Sequence, residues 1–290
     1  YVRAALETGL SLEEFAPRLS FFFACHNNLF EEVAKFRSAR RMWARIMREE
    51  FGAINPKAWM LRFHTQTGGS TLTAQQPEVN IVRTAYQALA AVLGGTQSLH
   101  TNAFDEALGL PTASSATLAL RTQQVLAFES GVTSEADPLG GSVFVEQLTD
   151  DLERDALHIM KQIQVLGGSV AAIEAGFIQN EIEEAAYRFQ REIERGERIV
   201  VGVNKFKGVV SSSIPIQQID AGMDSSRRAQ VKAYREARDQ GAASAVLEKV
   251  RTAARGSDNL MPLVMQAFKA GATLGEVCGQ LRLEWGEYRP

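Results

Sequence analysis

Between residues 59 and 102 the chain alternates polar and apolar side chains in two short runs, separated by a run of helical period. Trp59, Leu61 and Phe63 alternate with Met60, Arg62, His64 and Gln66; later, Gln97, Leu99 and Thr101 alternate with Ser98, His100 and Asn102. A period of two is the signature of a strand, whose successive side chains point to opposite faces. Between the two runs, Val82, Tyr86, Leu89 and Leu93 recur at helical spacing and predict a helix over 79–93 with those residues as its apolar face. Gly94-Gly95 suits its C-terminus. Upstream, RLSFFF at 18–23 predicts a short strand. Leu29, Val33, Phe36, Trp43 and Met47 predict a long helix over 27–51. Asn55-Pro56 marks a turn before a strand over 58–65, a further strand covers 96–101, and a helix follows over 113–130.

Strands alternating with helices through short connections imply parallel strands and right-handed crossovers. The fold class is therefore α/β. Residues 1–145, which open on the end of a helix over 1–15, read as the last βα units of a (β/α)8 barrel; an open doubly wound sheet is the alternative. Residues 146–204 form a mostly helical extension with a short strand at 199–203. Residues 205–225 read as a linker from their Gly, Ser and Pro content, and 226–290 as a C-terminal segment of two or three helices.

The faces differ in kind. One carries Arg18, Ser20 and Phe22, then Met60, Arg62, His64 and Gln66, then Ser98, His100 and Asn102; the other is mostly apolar. A closed barrel is normally filled with branched apolar side chains. Burying this many unpaired donors and acceptors would cost about 1–3 kcal/mol each, so the polar faces favour a channel that holds a polar ligand. Each residue also has a plainer reading. His64 alone would suit a satisfied core histidine, Arg18 an ordinary ion pair, and Lys57 a solvated loop charge. Glu106, after Asp105, would favour a helix N-terminus, and Cys25 would be a small buried side chain.

The 290 residues carry 45% hydrophobic side chains, a net charge of -3 and no basic stripe, which speaks against nucleic acid as a partner. No apolar run is long enough to span a membrane. Two distant cysteines and four histidines, without CxxC or HExxH spacing, predict a cytoplasmic protein with no protein-held metal. The chain opens in helical pattern at Tyr1 without Met, so sequence is expected to precede it.

FHTQT, LTAQ, NIVRT, GGTQSLHTN, DEALGLPT, RTQQ, ADPLGGS and VGVN, in this order, resemble the large, substrate-binding subunit of the adenosylcobalamin-dependent acyl-CoA mutases. That family includes the methylmalonyl-, isobutyryl- and 2-hydroxyisobutyryl-CoA mutases, and the likeness runs nearly end to end. The resemblance implies a barrel through whose axis coenzyme A threads, and a radical rearrangement of a short-chain acyl-CoA, first of all methylmalonyl-CoA to succinyl-CoA. It places Arg18, Leu19, Ser20 and Lys57 on coenzyme A or the substrate channel, and His64 on the substrate as the catalytic contact. It places Gln66, Glu106 and Gly109 on the cobalamin.

Gly109 departs from the family's alanine, and GGSTLT at 68–73 departs from SGWSLT by losing the indole. The DxHxxG cobalamin signature is absent, so the resemblance implies a cobalamin-binding domain or small subunit on another chain or beyond Pro290, in a dimer or heterotetramer. Two rivals stand beside it: a non-catalytic coenzyme-A-binding fragment or scaffold, and a barrel enzyme of hydrolysis or aldol chemistry. The second would need an acid/base pair or a Schiff-base lysine at a strand end.

Overall fold

The computed structural model describes residues 1–208, 214–218 and 220–287. They form two compact units, Tyr1–Gln217 and Gln218–Pro290.

The first unit is built on a parallel sheet of β1 (Phe21–Cys25), β2 (Phe63–Thr67) and β3 (Ser98–His100), in chain order. Its register sets Phe22, His64 and Ser98 level, and Ala24, Gln66 and His100 level one step on. This bears out an α/β fold with parallel strands. Two short helices, α1 (Val2–Glu7) and α2 (Leu12–Phe15), precede β1. The β1–β2 crossover carries α3 (Leu29–Arg45), continued by a π turn over Ile46–Glu50, and α4 (Pro56–Trp59); α5 (Asn80–Leu93) joins β2 to β3. Then follow α6 (Ala113–Phe128), α7 (Val143–Val165), α8 (Ser169–Glu174) and α9 (Phe177–Arg195).

Strand boundaries differ from the sequence expectation for local reasons. Pro17 opens a 3-10 turn over Ala16–Arg18, so β1 starts only at Phe21 and Arg18 lies before it. Asn55 caps α4, accepting from the Lys57 N–H at 3.0 Å, with Pro56 in the first turn; the expected strand at 58–65 therefore begins late, at Phe63. The stretch at 199–203 is no sheet strand: its one ladder contact is a bridge between Val201 and Lys205.

Odd-numbered side chains of the sheet face the helices. Phe36 of α3 stacks on Phe63 at 5.2 Å between ring centroids, and Phe23 meets Phe63 edge-on at 5.4 Å. Cys25, Val33, Leu61, Ala90 and Ala91 complete this core. Helix α5 turns inward only part of the side its apolar spacing predicts: Leu93 packs on this core and Leu89 is half-buried. Val82 and Tyr86 are 54% and 55% exposed, while Asn80, Thr84, Gln87, Ala88 and Ala91 are buried. Alanines allow the helix to approach the sheet closely, and the buried amides bind the loops beside it. Across the outer side of α3, Arg37, Arg41 and Arg45, spaced one turn apart, pair with Glu146, Asp150 and Glu153 of α7.

The second unit holds α10 (Ala221–Ala237), α11 (Gln240–Ala253), α12 (Met261–Lys269) and α13 (Leu274–Trp285) around Leu247, Val250, Ala267 and Val277. Helix α10 begins inside the stretch read as linker, because Asp220 caps it by accepting from the Gly222 N–H at 2.8 Å. Residues 209–213 and 219 of that stretch lie outside the described residues. Among the described residues no helix is long and apolar enough to cross a membrane.

Candidate functional site

The even-numbered face of the sheet carries the candidate residues. At the carboxyl ends of the strands, Gln66 Nε2 donates to Asn102 Oδ1 at 3.0 Å, and the Asn102 backbone N–H donates to Thr67 Oγ1 at 2.9 Å. Asn102 is 2% exposed, and its Nδ2 has no hydrogen-bond partner among the described residues. The loop after β2 closes on this pair. A β-carbon at Gly69 would fall 2.8 Å from Asn102 Nδ2 and 3.6 Å from Glu106 Oε1, so glycine is what allows the approach. Gln66, Gly69, Asn102 and Glu106 thus form one cluster, with Glu106 exposed and Asp105 buried beneath it.

The orientation of the Gln66 amide follows from this bonding. Its NH2 is directed to Asn102, which leaves its carbonyl oxygen as an acceptor toward the face. The cluster therefore offers an amide acceptor, a buried amide donor and a carboxylate. That set suits a ligand rich in hydroxyl and amide groups.

His64 lies midway along the same face, half-buried. Its Nδ1 is 2.7 Å from Ser98 Oγ, its register partner, and its ring packs against Phe22 at 5.0 Å between centroids. With Nδ1 engaged, Nε2 is the nitrogen left for a ligand. Where the serine hydroxyl donates to Nδ1, Nε2 carries the proton and can donate to an oxygen.

Arg18, Leu19, Ser20 and Lys57 gather at the other end, before the strands begin; Arg18, Ser20 and Lys57 are exposed. Extending the β1–β2 register sets Ser20 beside Arg62. Arg62 and Gln66 are four strand residues apart, about 13 Å. The structure therefore places Ser20 and Gln66 toward opposite ends of one face with His64 between them, while Arg18 lies on the 3-10 turn and Lys57 on α4, before the strands begin.

Gly109 lies in the turn after Glu106, its N–H donating to the Asp105 carbonyl at 3.1 Å. It is exposed, but a β-carbon there would meet Ile216 Cγ2 at 2.9 Å, which gives the loss of alanine a packing reason. Cys25 is the small buried side chain expected of it: its Sγ donates to the Gln87 carbonyl at 3.1 Å, and burial pushes its thiol pKa up. Among the described residues no group of three or more His, Cys, Asp or Glu side chains is placed to hold a metal ion.

Asn102, Ser98, Thr67 and Gly69 join the site without a role assigned to them from sequence, Asn102 and Ser98 having been read only as members of the polar face. Ser98 carried a signal, since it shares the polar face with His100. Thr67 did not, because it lies on the opposite face and reaches Asn102 only where the chain leaves β3.

The family model described as methylmalonyl-CoA mutase matches residues 1–287. Among curated proteins, the chain is 45% identical over 291 residues to a 2-hydroxyisobutanoyl-CoA mutase large subunit from Aquincola tertiaricarbonis, covering 100% of this chain and 52% of that protein. It is 46% identical over 290 residues to a methylmalonyl-CoA mutase from Rhizobium meliloti, covering 99% and 41% respectively. For a methylmalonyl-CoA mutase from Escherichia coli the figures are 44% over 289 residues, 99% and 40%. The chain thus spans about half or less of the length of these relatives.

Proposed function

The chain belongs to the methylmalonyl-CoA mutase family, and from that premise we propose that it is one wall of the active site of an acyl-CoA mutase. The reaction is the carbon-skeleton isomerisation of a short-chain acyl-CoA, first of all methylmalonyl-CoA to succinyl-CoA. One observation carries the reading: exposed Arg18, Ser20 and Lys57 precede the strands at the amino end of the sheet, His64 lies on its even-numbered face, and the Gln66–Asn102–Glu106 cluster stands at the carboxyl end. A long ligand with a charged tail and a small reacting head fits that arrangement. The parallel strands with helices on one side support a (β/α)8 barrel completed by strands outside this chain.

In this reading Arg18 and Ser20 bind the coenzyme A tail, because an arginine fork and a hydroxyl match phosphate oxygens. Lys57 adds a cation near the same end. His64 donates from Nε2 to the thioester region of the substrate and holds it in one orientation. Gln66, Asn102 and Glu106 would hold adenosylcobalamin; the buried Asn102 Nδ2, without a partner among the described residues, supports this fit. Bound adenosylcobalamin supplies the radical chemistry. The residues of this chain bind, orient and shield. At Gly109 only backbone remains for such a contact, beside Ile216.

A cobalamin-binding domain or small subunit, on another chain or beyond Pro290, would complete the hold on adenosylcobalamin, in a dimer or heterotetramer. In this reading 1–145 is the barrel part and 146–204 its helical extension, the linker expected over 205–225 ends where α10 begins at Ala221, and the rest to 290 is a helical segment. A reducing compartment, the cytoplasm among them, agrees with the free thiols of Cys25 and Cys278.

A second reading concerns substrate. Ser70 stands in the loop that walls the cofactor end, where the indole of the SGWSLT pattern is lost. With the 45% identity to the 2-hydroxyisobutanoyl-CoA mutase large subunit, this favours isobutyryl- or 2-hydroxyisobutyryl-CoA as the alternative. The test is turnover of the three acyl-CoAs by the complete assembly with adenosylcobalamin, followed by mass spectrometry of the isomers. Isomerisation of one of them is expected. Binding of coenzyme A and cofactor without isomerisation of any would make the chain a non-catalytic scaffold.

A further inference from the structure

The loop after β2 is tied down from a distant part of the chain. Asn80, fully buried, accepts from the Thr73 N–H at 3.1 Å and donates to the carbonyls of Thr73 at 2.8 Å and Phe104 at 2.9 Å, so the loops after β2 and β3 share one anchor. Arg83, one turn on, donates to Asn80 Oδ1 at 2.7 Å, Thr73 Oγ1 at 3.1 Å and the Val201 carbonyl at 2.6 Å. Its guanidinium is spent on neutral acceptors rather than on a carboxylate. Gln76 makes a second tie, donating to the Phe206 carbonyl at 3.0 Å.

Both ends of that second tie are backbone exceptions. Gln76 has φ 49° and Phe206 has φ 54°, the left-handed region that non-glycine side chains disfavour. The segment between the ties is itself pinned to the end of α9: Asn204 donates to the carbonyls of Ile193 at 2.9 Å and Arg198 at 2.7 Å, and accepts from the Val200 N–H at 2.7 Å. Strained conformations persist where surrounding contacts over-determine them.

We propose that residues 200–206 are a strap, and that Arg83 and Gln76 are positioning residues that use it to hold the loop carrying Gly69 against Asn102 and Glu106. The cofactor end of the site is then rigid only while the strap is engaged. Neither residue touches the site face. Each acts through the loop: Gly69 packs closely against Asn102, and Asn102 accepts from the Gln66 amide.

The proposal rests on the mutase reading for its kinetic test and stands without it for its exchange test. Two variants are compared with wild type in the complete assembly. Arg83→Met keeps the length of the side chain and removes the donors. Gln76→Asn keeps a residue that tolerates the left-handed region but shortens its reach to Phe206. Hydrogen exchange at the Gly69–Thr73 amides should accelerate about tenfold in each, with the β2 amides unchanged. The dissociation constant for adenosylcobalamin should rise severalfold, the KM for acyl-CoA should stay put, and Arg83→Lys should restore part of the loss.

Loop exchange unchanged in both variants overturns the proposal. So does equal acceleration in β2, which would mean a general structural role. If Arg83→Met does not fold, Gln76→Asn decides alone. A wild type without mutase activity would remove the mutase reading and leave the exchange result standing.

Discussion

At the carboxyl end of the sheet's open face, Gln66, Asn102 and Thr67 hold one another in a nearly dry hydrogen-bond chain, with Gly69 pressed against it. Before the amino end of the sheet, Arg18, Ser20 and Lys57 are exposed on turns and a short helix. One end is held by its own hydrogen bonds; the other presents solvated side chains that, in the proposed function, order on binding. That division suits a reaction in which the head must be placed exactingly and the tail need only be held. Rotamer entropy lost on ordering an arginine or lysine is a modest cost for affinity, whereas misplacement at a reacting centre costs rate.

The contrast can be broken most severely at its midpoint. His64→Ala is expected to lower kcat of the complete assembly about 100- to 1,000-fold, the loss seen for one transition-state donor, with little change in melting temperature. Rates within a few-fold of wild type would remove His64 from the chemistry. Next comes the built end. Asn102→Ala should destabilise the protein by about 1–3 kcal/mol, because it strands the Gln66 amide and removes a buried partner. Chemical denaturation should show it, and an unchanged midpoint would mean that the network is not structural.

At the solvated end the signs should reverse. Arg18→Ala should leave stability within about 0.5 kcal/mol of wild type. It should raise KM for acyl-CoA about tenfold or more, the range of a charged hydrogen bond, with kcat kept. Ser20→Ala should repeat this on a smaller scale. A fall in kcat without a change in KM would erase the distinction between the two ends.

The smallest effect is a control outside the sheet. Arg238 beside Glu276, with the Thr273 N–H, holds the Glu276 carboxyl well below the usual carboxylate range. A depressed folded pKa contributes stability that is present above the unfolded value, 4.5, and is lost as pH falls below it. The second unit should therefore loosen on acidification below that pH, and Glu276→Gln should flatten the dependence. Circular dichroism against pH checks both.

Much of this was legible in residue order. Alternation at 59–66 and 97–102 foretold which side chains share a face, because period two leaves a strand no other choice, and the register confirms it through His64, Ser98, Gln66 and His100. Strand starts were less legible: Pro17 and Asn55-Pro56 build turns and a short helix where alternation alone reads as strand. Helix α5 misled for a different reason. Its apolar spacing selects Val82 and Tyr86, but the close approach needed under the sheet selects alanine and buries Asn80, Thr84 and Gln87 instead.

The sequence by itself determined the α/β alternation, the polar face and, through long ordered motifs, the family. Only the tertiary structure decided that these residues lie toward the two ends of the sheet, that Asn102 orients Gln66, and that a segment more than a hundred residues away straps the loop between them. Periodicity is a local property written within a few residues. Which distant amide meets which carbonyl depends on how helices and loops pack, and no short window of sequence contains that.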